Sequence, residues 1–348
     1  MTVYVRPVHH ESESQELLNQ LQANLPHLPH EQRFQWLYYA NPDGPARSWF
    51  ACEGATGQIV GITSVFPRSI WLGDRLELCG QVGDFAISAT HRSLGPAILL
   101  QRATFVPVDQ GDMSFCYDCP PHEAGMSTFR RLGMSANCVV ERFALPLRVD
   151  AHVRKRLGAA SALPVAAGNL VLRAYRWSAP KAKLRGLEIS EHVGSFGAEF
   201  SQLDATVGRD ATIIRGQRSS ALLNWRYRED PLQQYSVLTA RRSGDLLAFV
   251  VLCVNNGTVT IVDLFGRYLY ETAAALLESV VQRYARSHQT IEAFLSGGNE
   301  LCENYLQMHF RRRSEAARVV AYAKAGSDIS TFLQSKPIWS LNQADIRA

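Results

Sequence analysis

The chain has 348 residues, 46% hydrophobic and 20% charged, with a formal net charge of +4. That length exceeds one typical core and suits two domains of about 150 residues each. So mild a charge agrees with a small anionic ligand and does not call for nucleic acid, which usually needs a concentrated basic face.

In chain order, Val3 to Pro7 reads as a strand, and Ser12 to Leu25 carries Leu17, Leu18, Leu21 and Leu25 at the spacing of an amphipathic helix. Pro26 and Pro29 end it, and Arg33 to Tyr39 forms an aromatic helix end closed by Asn41-Pro42. Ser48 to Cys52 and Gln58 to Pro67 read as a hairpin, followed by a second arm from Ile70 to Cys79 broken at Gly73-Asp74. Asp84 to Ser88 is a strand of alternating polarity, and an apolar helix begins at Ile98. Then come a strand over Met113 to Tyr117, a helix over Ala124 to Leu132 stopped by Gly133, and a strand over Cys138 to Leu147.

The stretch between Ser88 and Ile98 has the size and chemistry of an anion cradle. Gly95 lets the backbone approach an anion, and amides at a helix N-terminus point outward without partners. Pro96 suits a first helical position, and Arg92 places an always-charged fork at the mouth. The alternative is an ordinary turn whose glycine lets a helix pack on a sheet.

The chain repeats itself. Trp36-x-Tyr38-x-x-x-Pro42 recurs as Trp225-x-Tyr227-x-x-x-Pro231, 189 residues later. At that offset the first hairpin falls on Tyr235 to Asn255; with a shortened loop Gln81 to Phe85 meets Thr260 to Leu264, and the long helix recurs as Thr272 to Ala285. Leu187 to His192 parallels Tyr4 to His9. A tandem duplication follows, with halves at 1–149 and 183–348 joined by a partly helical connector at 150–182. Where the cradle should recur, the second copy has Phe265-Gly266-Arg267-Tyr268-Leu269-Tyr270, too bulky for close backbone approach.

Arg92-x-x-Gly95-x-Ala97 after a strand, with Asp84 and His91 before it and Phe129-Arg130-Arg131-Leu132-Gly133-Met134 after it, resembles the acyl-CoA loop and the Tyr-x-x-Leu-Gly-Phe segment of the GNAT acetyltransferase superfamily. The resemblance implies an α/β (α+β) fold of two GNAT-like domains in tandem, each a mixed, mostly antiparallel sheet flanked by helices. It implies acetyl-CoA or another acyl-CoA as co-substrate and transfer of a short acyl group to an amine or hydroxyl acceptor by direct attack. The acceptor would be a small amine, amino sugar or amino acid. A transferase of the aminoacyl or thiol-cofactor-building type, or a non-catalytic CoA-binding or scaffold protein, are the alternatives.

The implied donor site is Phe85, Ala86 and Ile87, whose backbone would pair with the pantetheine arm, and the loop Arg92, Ser93, Leu94, Gly95, Pro96 and Ala97. Asp84 is the candidate base, or else a carboxylate that pairs with an arginine. Phe129 stands where the family has an acidic tyrosine, so Tyr117 or His122 would replace it, or solvent would serve; the duplicate position is Tyr305. Trp36, Tyr38, Trp225 and Tyr227 read as core more than as an acceptor pocket.

Seven scattered cysteines read as free thiols in a reducing compartment, because Cys116 and Cys119 have no second ligand pair; no metal is expected. The N-terminus lacks an apolar signal core and no apolar run reaches the ~18 residues of a membrane span, so the expected location is the cytoplasm.

Overall fold

A computed structural model describes residues 2–25, 31–92, 94–120, 123–180, 186–207 and 210–346. Pro26, Pro29, Ser93 and His122, each given a part in the sequence reading, lie outside the described residues. β1 (Val3–Pro7) leads into α1 (His10–Asn24), whose Leu17, Leu18 and Leu21 are buried, and then α2 (Glu31–Phe34). α2 runs on as a π turn, Gln35–Tyr39, a local widening with no signal in the apolar spacing.

β2 (Arg47–Glu53), β3 (Ile59–Leu72) and β4 (Arg75–Ile87) form an antiparallel meander. β4 passes straight through Gly80, where a side chain would collide with Val65 and Met113; this glycine gives room and breaks nothing. A 3-10 turn at Ala89–His91 precedes α3 (Leu94–Ala103), α4 (Val106–Asp109), β5 (Cys116–Asp118), α5 (Glu123–Arg131) and β6 (Cys138–Pro146).

The segment after β6 is helical, as α6 (Asp150–Leu157) and α7 (Ala162–Trp177) joined by a 3-10 turn. β7 (Glu188–Glu191), α8 (Ala198–Thr206), β8 (Ile213–Gly216) and α9 (Ser220–Tyr227) follow. Then come β9 (Tyr235–Arg242), β10 (Asp245–Asn255), β11 (Thr258–Gly266), α10 (Leu269–Tyr284), β12 (Thr290–Ser296), α11 (Leu301–Gln307) and β13 (Arg311–Tyr322). The chain closes with α12 (Asp328–Gln334), β14 (Ile338–Trp339) and α13 (Gln343–Ile346).

Twelve strands run in the order β1-β2-β3-β4-β5-β13-β6-β12-β11-β10-β9-β7. The pairing reads alike from both ends: β4 and β5 are parallel, β11 and β12 are parallel, and every other neighbouring pair along this path is antiparallel. At the centre β6 lies against β12 of the second half, while β13 of the second half lies against β5 of the first. The copies thus exchange their last long strands.

The repeated tryptophans mark the same symmetry. Trp36 Nε1 donates to the carbonyl of Trp225 at 2.8 Å, Trp225 Nε1 donates to that of Trp36 at 3.1 Å, and the rings stack 4.8 Å apart. Apolar clusters cover both faces of the first half: α1 and the π turn on Phe50, Ile62 and Phe66, and α3 with α5 on Val60, Val65 and Val82.

Candidate active site

The end of β4 positions the site. Ala86 pairs with Ile62 and Gly83 with Ser64, so Asp84 and Phe85 together face the single residue Thr63, a β-bulge. Asp84 takes the left-handed conformation, φ 48°, which aspartate tolerates better than most residues. Its carboxylate accepts two hydrogen bonds from Arg33, at 2.7 and 2.9 Å, and one from the Tyr38 hydroxyl at 2.8 Å.

The second half builds the same cage. Asp263 accepts from Arg218 Nε at 2.8 Å and from the Tyr227 hydroxyl at 3.1 Å, beside a bulge in β11. The tyrosine of the repeated Trp-x-Tyr motif recurs because in each half it ties down an aspartate at or beside the bulge.

Just ahead of the bulge β4 parts from β5. The two strands pair only at Gly80 with Cys116 and Gln81 with Tyr117, so the backbone from Val82 to Ile87 has a free edge on that side among the described residues. Phe85 and Ile87 turn toward the α3 face, and Ala86 toward α1. At the open end the exposed Arg92 and Gly95 stand at the start of α3, and a Cβ on Gly95 would meet nothing within 4 Å. Pro96 and Ala97 are buried beneath them. A free strand edge running up to a helix N-terminus with an exposed glycine beside an arginine fits a diphosphate carrying an extended amide arm. His91, next to Arg92, has Nδ1 at 2.9 Å from Thr90 Oγ1 and Nε2 at 3.8 Å from Glu53.

Asp118, the last residue of β5, belongs to none of the sequence motifs. It lies one residue past the final β4–β5 pair, at the apex of the splay, and pairs backward with Val320 of β13. Strand alternation puts it on the Cys116 side, under α3 and α5. Desolvation among these apolar neighbours raises its carboxyl to about 7, against the opposing pull of the Cys119 amide. The signal available was an acidic residue ending the strand after the loop helix. With Asp84 laid on Asp263, the β11–β12 register puts Ala293 at the matching place. The aspartate cage is therefore common to both halves, whereas the loop and Asp118 belong to the first alone.

In the second half the splay between β11 and β12 is filled by the chain itself. Leu295 of β12 bridges Asn342, Ser296 N donates to the Leu341 carbonyl at 3.0 Å, and Asn342 Nδ2 donates to Asp263. Arg218 reaches across to Asp345 at 2.7 Å.

Tyr117 is buried on the other face of β5. Its hydroxyl donates to the Asp345 carbonyl at 2.7 Å, its ring lies near Trp339, and burial pushes its hydroxyl pKa well up. Phe129 is buried in the α3 and α5 cluster, and Tyr305 is wholly buried with no hydrogen-bond partner for its hydroxyl among the described residues. Among the described residues no group of three His, Cys, Asp or Glu side chains is placed to hold a metal ion.

No family model and no curated protein matches the sequence. Solved structures do match over nearly the whole chain. A probable N-acyltransferase from Enterococcus faecalis V583 superposes with a TM-score of 0.66 at 12% identity, covering 93% of this chain and 72% of its own. A GCN5-related N-acetyltransferase from Anabaena variabilis gives 0.64 at 12% identity, covering 92% and 72%. A tandem GNAT protein from the clavulanic acid biosynthesis pathway gives 0.54 at 12% identity, covering 94% of this chain and all of its own. The chain has the tandem GNAT fold.

Proposed function

We propose that the protein is an acyl-CoA-dependent acyltransferase whose single donor site lies in the first half, and that it transfers acetyl or another short acyl group to a small amine or hydroxyl acceptor in the cytoplasm. The observation that carries this reading is the asymmetry of the two splays. The first has a free strand edge, an open glycine at a helix start and an exposed arginine, while the second is filled by residues 339–346. All seven cysteines are free thiols, which suits a reducing compartment. No helix of the described residues is long and apolar enough to cross a membrane.

Acyl-CoA supplies an activated thioester carbonyl. In this assignment the backbone of Phe85, Ala86 and Ile87 aligns the pantetheine arm, and Arg92 with the amides that open α3 holds the diphosphate. The acceptor nitrogen attacks the carbonyl carbon, forming the N–C bond as the C–S bond breaks and the electron pair leaves on sulfur. The ammonium proton passes to the Asp118 carboxylate, directly or through one water. A carboxyl raised to about 7 by desolvation is matched to that task near neutral pH. Asp84, held by Arg33 and Tyr38, keeps the bulge open and is a positioning residue. With phenylalanine at 129 and Tyr117 engaged by the Asp345 carbonyl, solvent returns the proton to the thiolate.

The test is calorimetric titration with acetyl-CoA, with Gly95→Glu as paired control. The expected result is one site per chain in the wild type, lost in the variant with an unchanged melting curve, because a carboxylate would stand in the anion's place. Two sites per chain, or unaltered affinity in the variant, would overturn the placement. Binding without turnover over a panel of amines would favour a CoA-binding scaffold.

A further inference from the structure

α7 is amphipathic with the wrong side out. Its inner face holds the body of the protein: Gly168 sits so close to Val149 that a side chain there would collide with it. Asn169 accepts from the Val149 amide at 2.9 Å, Tyr175 stacks 4.5 Å from His309, and Arg176 donates to the Leu147 carbonyl at 2.7 Å. The outer face is apolar from end to end. Leu163 is 84% exposed, Leu170 67%, Val171 66% and Trp177 77%, with the exposed Ala166, Ala167 and Ala174 between them. Scattered surface leucines need no account, but a continuous stripe along a 16-residue helix does.

Charge identifies what covers it. From residue 151 to 187 the sequence carries eight lysines and arginines and no acidic residue. Since the whole chain carries only +4, the remainder of the molecule is net negative, and this segment is its uniformly basic stretch. Arg154, Lys155 and Arg156 in the last turn of α6 are exposed, Arg154 with Asp150 at 4.0 Å, and so is Arg173 on the helix that carries the stripe. A second copy apposed through the same face would bring like charges together, and a neutral apolar partner would leave the cations unanswered. A leaflet of anionic lipid satisfies both features, taking leucines and tryptophan at the acyl boundary and arginines and lysines among its headgroups.

We infer that α6 and α7 form an interfacial anchor that lays this face, about 24 Å long, on an anionic lipid bilayer. The full chain is floated with vesicles of phosphatidylcholine alone or with three-tenths phosphatidylglycerol, at 0.1 M and 1 M salt. Two variants accompany it: Leu170→Glu with Val171→Glu, and Arg154→Gln with Lys155→Gln and Arg156→Gln. The wild type should partition at least about tenfold more strongly into the anionic vesicles, and 1 M salt, which shortens the screening length to ~3 Å, should release it. Both variants should lose that partition while binding acetyl-CoA as the wild type does. Absence of binding to anionic vesicles would overturn the anchor, as would equal binding to both compositions. So would a wild-type dimer in light scattering that the Leu170 and Val171 changes dissolve, since a second copy would then cover the stripe. The lipid-charge and salt comparisons need only wild-type protein, and none of these outcomes depends on acyl transfer.

Discussion

Two carboxylates within a few residues of the β4 bulge behave oppositely, and the difference separates support from chemistry. Asp84 is ion-paired to Arg33 through both carboxylate oxygens, and replacing it by asparagine leaves the buried Arg33 guanidinium without its counter-charge, a loss of about 3–5 kcal/mol. Asp118 is raised to about 7 by desolvation, so its ionised form is a burden on the fold. Below pH 4 both folded and unfolded states hold the proton and there is no burden. Between pH 4 and 7 the unfolded chain releases its proton first, so stability falls as pH rises, and above 7 the full penalty stands. Asp118→Asn should therefore melt with the wild type at pH 4 and be more stable at pH 8, by roughly 2 kcal/mol after allowance for its partial exposure. In the wild type kcat/KM should rise through an apparent pKa near 7; in Asp118→Asn it should be flat and about 10²–10⁴-fold lower. A variant stabilised at high pH with an unchanged pH–rate profile would return the base role to Asp84.

Among the elements, most of the strands and helices were legible because apolar spacing and turn residues encode them locally. Val3–Pro7 is read to the residue, and the repeat locates β9, β10, β11 and α10 within a few positions. Partner choice is not local. The alternation of β6 and β13 states that each is a strand without saying which edge it joins, so the sequence places β6 at the end of the first half although both its neighbours come from the second. Asp118 was hidden for a related reason: its importance comes from register and desolvation, which no single residue type signals. The exchange has a direct consequence. A fragment of residues 1–149 retains β6 with neither neighbour and β5 without β13, leaving bare strand edges in water. By circular dichroism it should lack a cooperative melt when expressed alone, and it should co-purify with 150–348 when the two are made together. A fragment 1–149 that melts cooperatively by itself would show that the first half stands without the exchange.

At the scale of the molecule three ties make one body of the copies: the exchanged strands, the reciprocal tryptophans and the closing segment. That segment touches both halves, for α13 takes the Tyr117 hydroxyl on Asp345 O and Arg218 on Asp345 carboxylate oxygens. β3 adds a fourth contact, its tip pairing with β8 from Ile70 to Leu72. None of these can be released without opening both cores, so a chain of 348 residues should unfold in one calorimetric transition with equal calorimetric and van't Hoff enthalpies, where separable domains would give two. The tryptophan pair offers the sharper test. Each indole donates to the other's backbone carbonyl and stacks on the other's ring, so removing either ring already breaks the stacking and one of the two bonds. Trp36→Ala and Trp225→Ala should each destabilise, and the double variant should lose less than the two losses combined, with a coupling of about 1–3 kcal/mol. Additive losses would mean that the rings serve their own halves separately, and a second transition appearing in either single variant would identify this pair as the tie that keeps the halves cooperative.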